Sequence, residues 1–427
     1  MRKVKGEIKL KISAKKLIYI LLMLYPILPV NHYIGALNYA NIASILIVGL
    51  YLVFVKNKKI INIFKFNLPF WMYLIVYALF AIFTSDILTG IAWLFSTVFV
   101  NLIILDLIRN KKDFNLMLDL IIISSFILSL IGIFEAFSST YLIQSQLLSV
   151  AQNIRYGILR ATGPFGICIN FGLYQAICAI LIFYKITIEK NVSKVIKYKC
   201  IYILVVISLF LSVSRLAICL FIAAQVLLYV RLGINKALKK LMIIICFIPI
   251  IIIIFEVIGL SVFDLFSDFF VSFFELIGVS VKTETTDVIG FGNRTDLYAW
   301  VWNAMNGKFL FGMGVDAEFQ FKMTTFFTKT SIEVHYLNIL YHMGFVGLIT
   351  LIISYISTLK LLWKNKEVKM EHEEIPFTKL LLVILSLYFI CLFGVQETDL
   401  TRFYCELIVL AIAYIRINKD FDVKEKK

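Results

Sequence analysis

His335 stands in the run Glu333-Val-His335-Tyr-Leu-Asn338, where the chain passes from a long polar connection into an apolar one. A histidine can take a proton from a hydroxyl near neutral pH, and Glu333 is close enough in sequence to orient or assist it. Five arginines, Arg155, Arg160, Arg215, Arg294 and Arg402, lie at or near the ends of apolar runs. A guanidinium is a planar fork of donors suited to phosphate oxygens. Several of them converging on one surface would suit an anionic substrate, most simply a pyrophosphate at the level of lipid headgroups. The plainer alternative is that each arginine snorkels to lipid phosphate or pairs with a local acid.

Three of these arginines sit in patterned contexts. Arg160-Ala-Thr-Gly-Pro-Phe-Gly166, followed by Asn170, puts a glycine pair and a proline at the mouth of an apolar run. Backbone groups left free there could meet a ligand, or the segment is a helix start with proline in its first turn. Ser212-Val-Ser-Arg215 puts a charge between two apolar runs, which is either a functional position or a plain turn. Gly292-Asn-Arg294-Thr-Asp-Leu-Tyr298-Ala-Trp300 has helical spacing, which would place Arg294, Tyr298 and Trp302 along one face. There the arginine could hold phosphate while Tyr298 and Trp300 stack on a sugar, although such aromatics also anchor helices at membrane interfaces. His342 reads as a packed histidine, and His32 and His372 suggest nothing.

The sequence has no Walker loop, no GxSxG, no HExxH and no cluster with zinc spacing. Neither cofactor nor metal is called for, and without a DxD-type pair a glycosyl donor would be lipid-linked rather than nucleotide-linked. The net charge of +15 is not read as a nucleic-acid signal, because no stripe of arginines and aromatics accompanies it. The seven cysteines lie within or at the edge of apolar runs without CxxC spacing and read as small buried hydrophobes.

The elements that must position these groups belong to a membrane protein. Of 427 residues, 61% are hydrophobic and 16% charged, and the mean hydropathy is +0.92. Soluble domains are roughly 45–50% apolar and about 25% charged. The unbroken apolar runs fit helices rather than the alternating strands of a barrel. Twelve spans are expected, at roughly 17–33, 38–55, 68–84, 87–107, 116–137, 163–184, 200–213, 216–230, 241–261, 335–359, 378–395 and 401–415. The pair split by Ser212–Arg215 could instead be one bent or re-entrant hairpin. Every second connection is then basic, which places both termini in the cytoplasm and the N-terminus as an uncleaved anchor. The connection Val262–Val334 becomes one large outer loop within a single 1–427 domain, with short helices expected at Asp264–Gly278 and Asn293–Gly307.

The order of these features resembles the O-antigen ligase/polymerase superfamily, which includes the Wzy-type polymerases of O-antigen and capsule. It runs from Arg160-x-x-Gly163…Asn170 through Ser214-Arg215, Arg294…Trp300 and Gly312-x-Gly314 to His335 with Gly344-x-x-Gly347. The resemblance covers about residues 150–350, and the chain departs from many relatives in having Tyr336 after the histidine. It implies an all-α membrane protein that uses undecaprenyl-pyrophosphate-linked glycans, as donor and as acceptor, on the outer face of a bacterial plasma membrane. Arg160, Arg215 and Arg294 would hold the pyrophosphate and His335 would serve as the base. A chain-length regulator is a further candidate partner, beside the lipid bilayer. Polymerisation of repeat units into O-antigen or capsular polysaccharide is the favoured activity. The alternatives are a ligase that transfers polymer to lipid A core, a lipid-linked glycan transporter or flippase, and an assembly protein without chemistry.

Overall fold

A computed structural model of the chain describes residues 14–29, 33–34, 37–55, 66–84, 87–143, 154–155, 157–231, 292–322, 328–329, 332–369, 373, 375–395 and 400–425. The described residues are mostly helical, and four of the helices are long and apolar enough to cross a membrane. Helix α1 (Ala14–Leu24) gives way at Pro26 to a single 3-10 turn, because proline cannot continue the α-helical ladder. The run expected as one span over 17–33 is therefore bent at its end. Helix α2 (Tyr39–Phe54) begins where the Asn38 side chain accepts the Asn41 amide at 2.8 Å. Helix α3 (Leu68–Thr84) carries Pro69 in its first turn, where no amide is needed.

Helix α4 (Ile87–Leu107) contains a π-helical stretch at Leu94–Phe99, and α5 (Lys111–Ser138) is capped by Asn110. Two short strands, Ile154–Arg155 and Ile158–Leu159, pair before α6 (Cys168–Ile188). Helix α6 is buried all round from Phe171 to Lys185, and α5, α7 (Val192–Leu211) and α8 (Arg215–Arg231) pack on it. The segment around Ser212–Arg215 is thus a turn between helices of 20 and 17 residues. Helix α9 (Gly292–Ala304) occupies the second site expected for a short loop helix. Helices α10 (His335–Lys364), α11 (Phe377–Cys391) and α12 (Thr401–Glu425) complete the bundle. The expected span 241–261 and the helix Asp264–Gly278 lie outside the described residues.

Helix α10 is two helices in line, broken at Gly344, whose φ of +64° and ψ of −161° suit glycine alone. The segment Phe309–Gly314 fills the break. Phe345 and Val346 donate to the Phe309 and Leu310 carbonyls at 2.8 and 3.2 Å, while Met313 and Gly314 donate to Tyr341 and His342 at 2.7 and 3.0 Å. Beyond the break, Ile349, Ile353 and Ile356 form an exposed apolar stripe of the kind that faces lipid.

Two apolar clusters result. The larger joins α1–α8 and α10–α12, and the smaller joins α9 to the first part of α10 through Leu297, Val301, Met305 and Leu337. Two cysteines depart from the expected burial: Cys200 is exposed and Cys219 half-buried, because α7 and α8 turn those positions outward from α6. Cys246 lies outside the described residues.

Candidate functional site

The site is built where the chain enters α6. Ile158–Leu159 and the 3-10 turn Gly163–Phe165 bring Arg160 beside the turn Ser212–Ser214. Arg160 Nε donates to the Ser212 carbonyl at 3.3 Å and Nη2 to the Val213 carbonyl at 3.2 Å, while the Ala161 amide donates to Leu211 at 3.1 Å. Val213 is held at φ +47°, a left-handed conformation that a β-branched residue rarely adopts. Such strain persists only where the surroundings over-determine it. Here the guanidinium holds the strained carbonyl, and Arg215 follows two residues later as the first residue of α8.

Close approach is possible because Gly172 leaves room. A Cβ there would lie 2.7 Å from Ser212 Oγ and 2.8 Å from Ala217 Cβ. Burial, and then the like charges of Arg155 and Arg215, push the Arg160 guanidinium below the usual arginine range. A cluster of like charge in a partly desolvated setting is relieved by an anion. The structure thus brings Arg155 and Arg215 near enough to Arg160 for their charges to act on it, and Asn170 is buried in the first turn of α6.

Glu135, near the end of α5, was not among the residues expected from the sequence. It is fully buried, and its Oε2 accepts the Thr162 and Gly163 amides at 3.0 and 2.9 Å. A chain of contacts therefore runs from Glu135 through the Thr162–Gly163 backbone and Arg160 to the turn that presents Arg215. The signal available in the sequence was a lone acid inside an apolar run, a functional candidate by default.

The other expected residues are placed differently. Arg294 lies in the first turn of α9, and its side chain is outside the described residues. Tyr298 and Trp302 share one exposed face of α9, as the spacing predicts, beside the buried Leu297 and Val301, and Trp302 stacks on Phe309 at 4.3 Å. Trp300 is half-buried against the smaller cluster. His335 opens α10, its backbone amide shared between the Leu392 and Val395 carbonyls at 3.0 and 3.1 Å. Its side chain is 4% exposed, with Glu333 half-buried just before it. His335 thus stands where the two apolar clusters meet, since Val334 and Leu337 belong to the smaller and Ile339 to the larger.

Arg402 takes a structural position: its two terminal nitrogens donate to the Tyr25 and Leu28 carbonyls at 2.9 and 2.8 Å, capping the broken end of α1. His342 bonds the Gly314 carbonyl through Nδ1 at 2.8 Å and so belongs to the break in α10, as a packed histidine. Among the described residues no group of His, Cys, Asp and Glu is arranged to hold a metal.

Residues 200–352 match the family described as O-antigen ligase, a stretch that contains Arg215, Arg294, both glycine pairs and His335 and leaves Arg160 and Asn170 just outside. No curated protein sequence matches the chain. Over residues 200–352 the chain is therefore similar to the O-antigen ligase family, which agrees with the resemblance drawn from its motifs.

Proposed function

We propose that the chain is a membrane glycosyltransferase that polymerises undecaprenyl-pyrophosphate-linked repeat units into O-antigen or capsular polysaccharide. It would act on the outer face of a bacterial plasma membrane, with both termini cytoplasmic and without metal or nucleotide. The bonds that hold Arg160 to the strained turn leading into Arg215 carry the reading. In it, the donor's pyrophosphate docks against Arg215, Arg294 and the Nη1 of Arg160, the nitrogen not engaged by Ser212 or Val213. Their charge stabilises the pyrophosphate as it leaves.

A hydroxyl of the acceptor, a second lipid-linked glycan, loses its proton to His335 with help from Glu333. Its oxygen bonds to the donor's anomeric carbon as the bond from that carbon to the pyrophosphate oxygen breaks. His335 is buried, so the acceptor must part the loop residues before it. Asn170, Tyr298 and Trp300 are assigned to hold the donor.

The decisive variants are Arg215→Ala and Arg294→Ala in the native strain. Both should insert normally and lose long glycan chains, a loss of about 10²–10³ in rate being typical when one charge-stabilising donor is removed. Wild-type chain lengths in both well-expressed variants would overturn the site. Transfer to lipid A core is the second reading, favoured by the description of the matching family as a ligase. Deleting the gene separates the two readings on a polysaccharide gel. Single repeat units without a ladder mark a polymerase, and polymer retained on the carrier lipid marks a ligase. Single units held on the cytoplasmic face would mark a flippase instead.

A further inference from the structure

The N-terminal half of the bundle carries no motif of the family, yet it holds a pocket of about 180 Å³. Asn38 and Asn41 from the start of α2, Tyr77 from α3, Thr89 and Trp93 from α4 and Arg402 from α12 line it. Val315 closes it from the loop, its amide donating to Thr84 Oγ1 at the end of α3 at 3.0 Å. The pocket therefore lies at the end of the bundle that carries the Gly312–Gly314 loop.

Its chemistry differs from that of the arginine cluster. Tyr77 and Trp93 stack with centroids 4.0 Å apart and planes 25° apart, giving a flat aromatic wall, and Trp93 is fixed by its indole N–H to the Leu74 carbonyl at 3.3 Å. The π-helical stretch that begins at Leu94 follows this wall directly, and such bulges recur at functional sites. The Ser96 carbonyl within it accepts the Tyr25 hydroxyl. Around the wall, the Asn41 side-chain amide and the Thr89 and Tyr77 hydroxyls have no hydrogen bond among the described residues. Among the described residues the lining holds one cation, Arg402, already directed at the Tyr25 and Leu28 carbonyls, and no carboxylate, while Asp316 next to Val315 lies near enough for its charge to act on Tyr77.

A flat aromatic wall with open neutral donors and acceptors matches a sugar ring, which has an apolar C–H face and a rim of hydroxyls. It does not match a pyrophosphate. We propose that this pocket binds one sugar ring of the acceptor glycan, and so fixes which hydroxyl reaches the donor. The assignment rests on the polymerase reading for the identity of the glycan, but the binding itself can be measured without catalysis.

The full chain is purified in nanodiscs, and the free repeat-unit oligosaccharide, released from its carrier lipid by mild acid, is added as probe. Saturation-transfer NMR should show binding to the wild type. Asn41→Leu should weaken it roughly tenfold, about 1.4 kcal/mol, and Trp93→Ala by more. Asn41 makes no side-chain bond that the fold needs, so its variant remains folded whatever becomes of Trp93→Ala. Unchanged binding in Asn41→Leu and in Thr89→Val overturns the pocket. So does a wild type that ignores the free glycan while farnesyl pyrophosphate quenches its tryptophan fluorescence, because the pocket would then hold lipid. If the pocket variants lose the glycan while Arg215→Ala still makes full-length polymer, the pocket stands and the donor site proposed above falls.

Discussion

Two glycine-bearing turns of this molecule are built in opposite ways. At Arg160–Gly166 the backbone is held by side chains: Glu135 takes two amides and Arg160 takes two carbonyls. At Gly312–Gly314 and Gly344 the backbone is held by backbone, with two segments exchanging amide–carbonyl bonds across a broken helix. The first arrangement buries the turn and leaves Arg160 and Arg215 half-buried at its edge. The second satisfies the freed amides and carbonyls internally, as an interrupted helix in a membrane protein requires. Only the second lies within the residues that match the O-antigen ligase family. Only the first is held by charged side chains, and the second ties the loop to α10 through backbone alone.

If that contrast holds, the largest effect on folding comes from the second turn. Gly344→Ala demands a backbone conformation that costs an L-residue about 1–3 kcal/mol, and its Cβ would lie 2.6 Å from the Gly312 amide nitrogen. It should leave little folded protein, as read by fluorescence-detected size exclusion. A monodisperse, wild-type yield would show that the interlock is dispensable.

Glu135→Ala tests the first turn and should have an intermediate effect. It strands two buried amides at about 1–3 kcal/mol each, lowers the thermal midpoint and shortens glycan chains by loosening Arg160. Glu135→Gln keeps an acceptor oxygen and should recover most of both. Equal damage from the two variants would mean that the charge of Glu135, not its clamp on the Thr162–Gly163 backbone, is what matters.

The smallest effect belongs to Tyr298→Ala. The ring is 47% exposed on the face of α9 beside its packed residues, so the thermal midpoint should move little. A large drop would show that this face is covered in the folded protein.

Much of this was legible in the sequence. The apolar runs at 38–55, 68–84 and 87–107 match α2, α3 and α4 closely, because hydropathy over some twenty residues is a direct readout of helices that lipid can surround. The α9 helix and the shared face of Tyr298 and Trp302 followed from 3.6-residue periodicity. Arg160 and Arg215 were legible as candidates, since charge at the edge of an apolar run is costly unless it is used.

Their meeting was not legible, because Arg160 reaches the Ser212–Val213 turn across 52 and 53 residues of chain. Glu135 was overlooked because a single carboxylate in an apolar run carries no spacing, and its partners are backbone amides, which no side-chain pattern records. The break at Gly344 was hidden by a hydropathy profile that runs through it unchanged.

The sequence by itself determined that this is a helical membrane protein, which family its residues 200–352 resemble and which charged residues are candidates for work. These depend on composition, periodicity and order, all properties of one dimension. Only the tertiary structure decided that Arg155 and Arg215 lie near enough to Arg160 for their charges to act on it, that Arg402 caps a broken helix, and that Tyr77 and Trp93 make a wall. Each of these depends on which carbonyls and ring faces remain unoccupied once the helices have packed, and that is settled by contacts between distant segments.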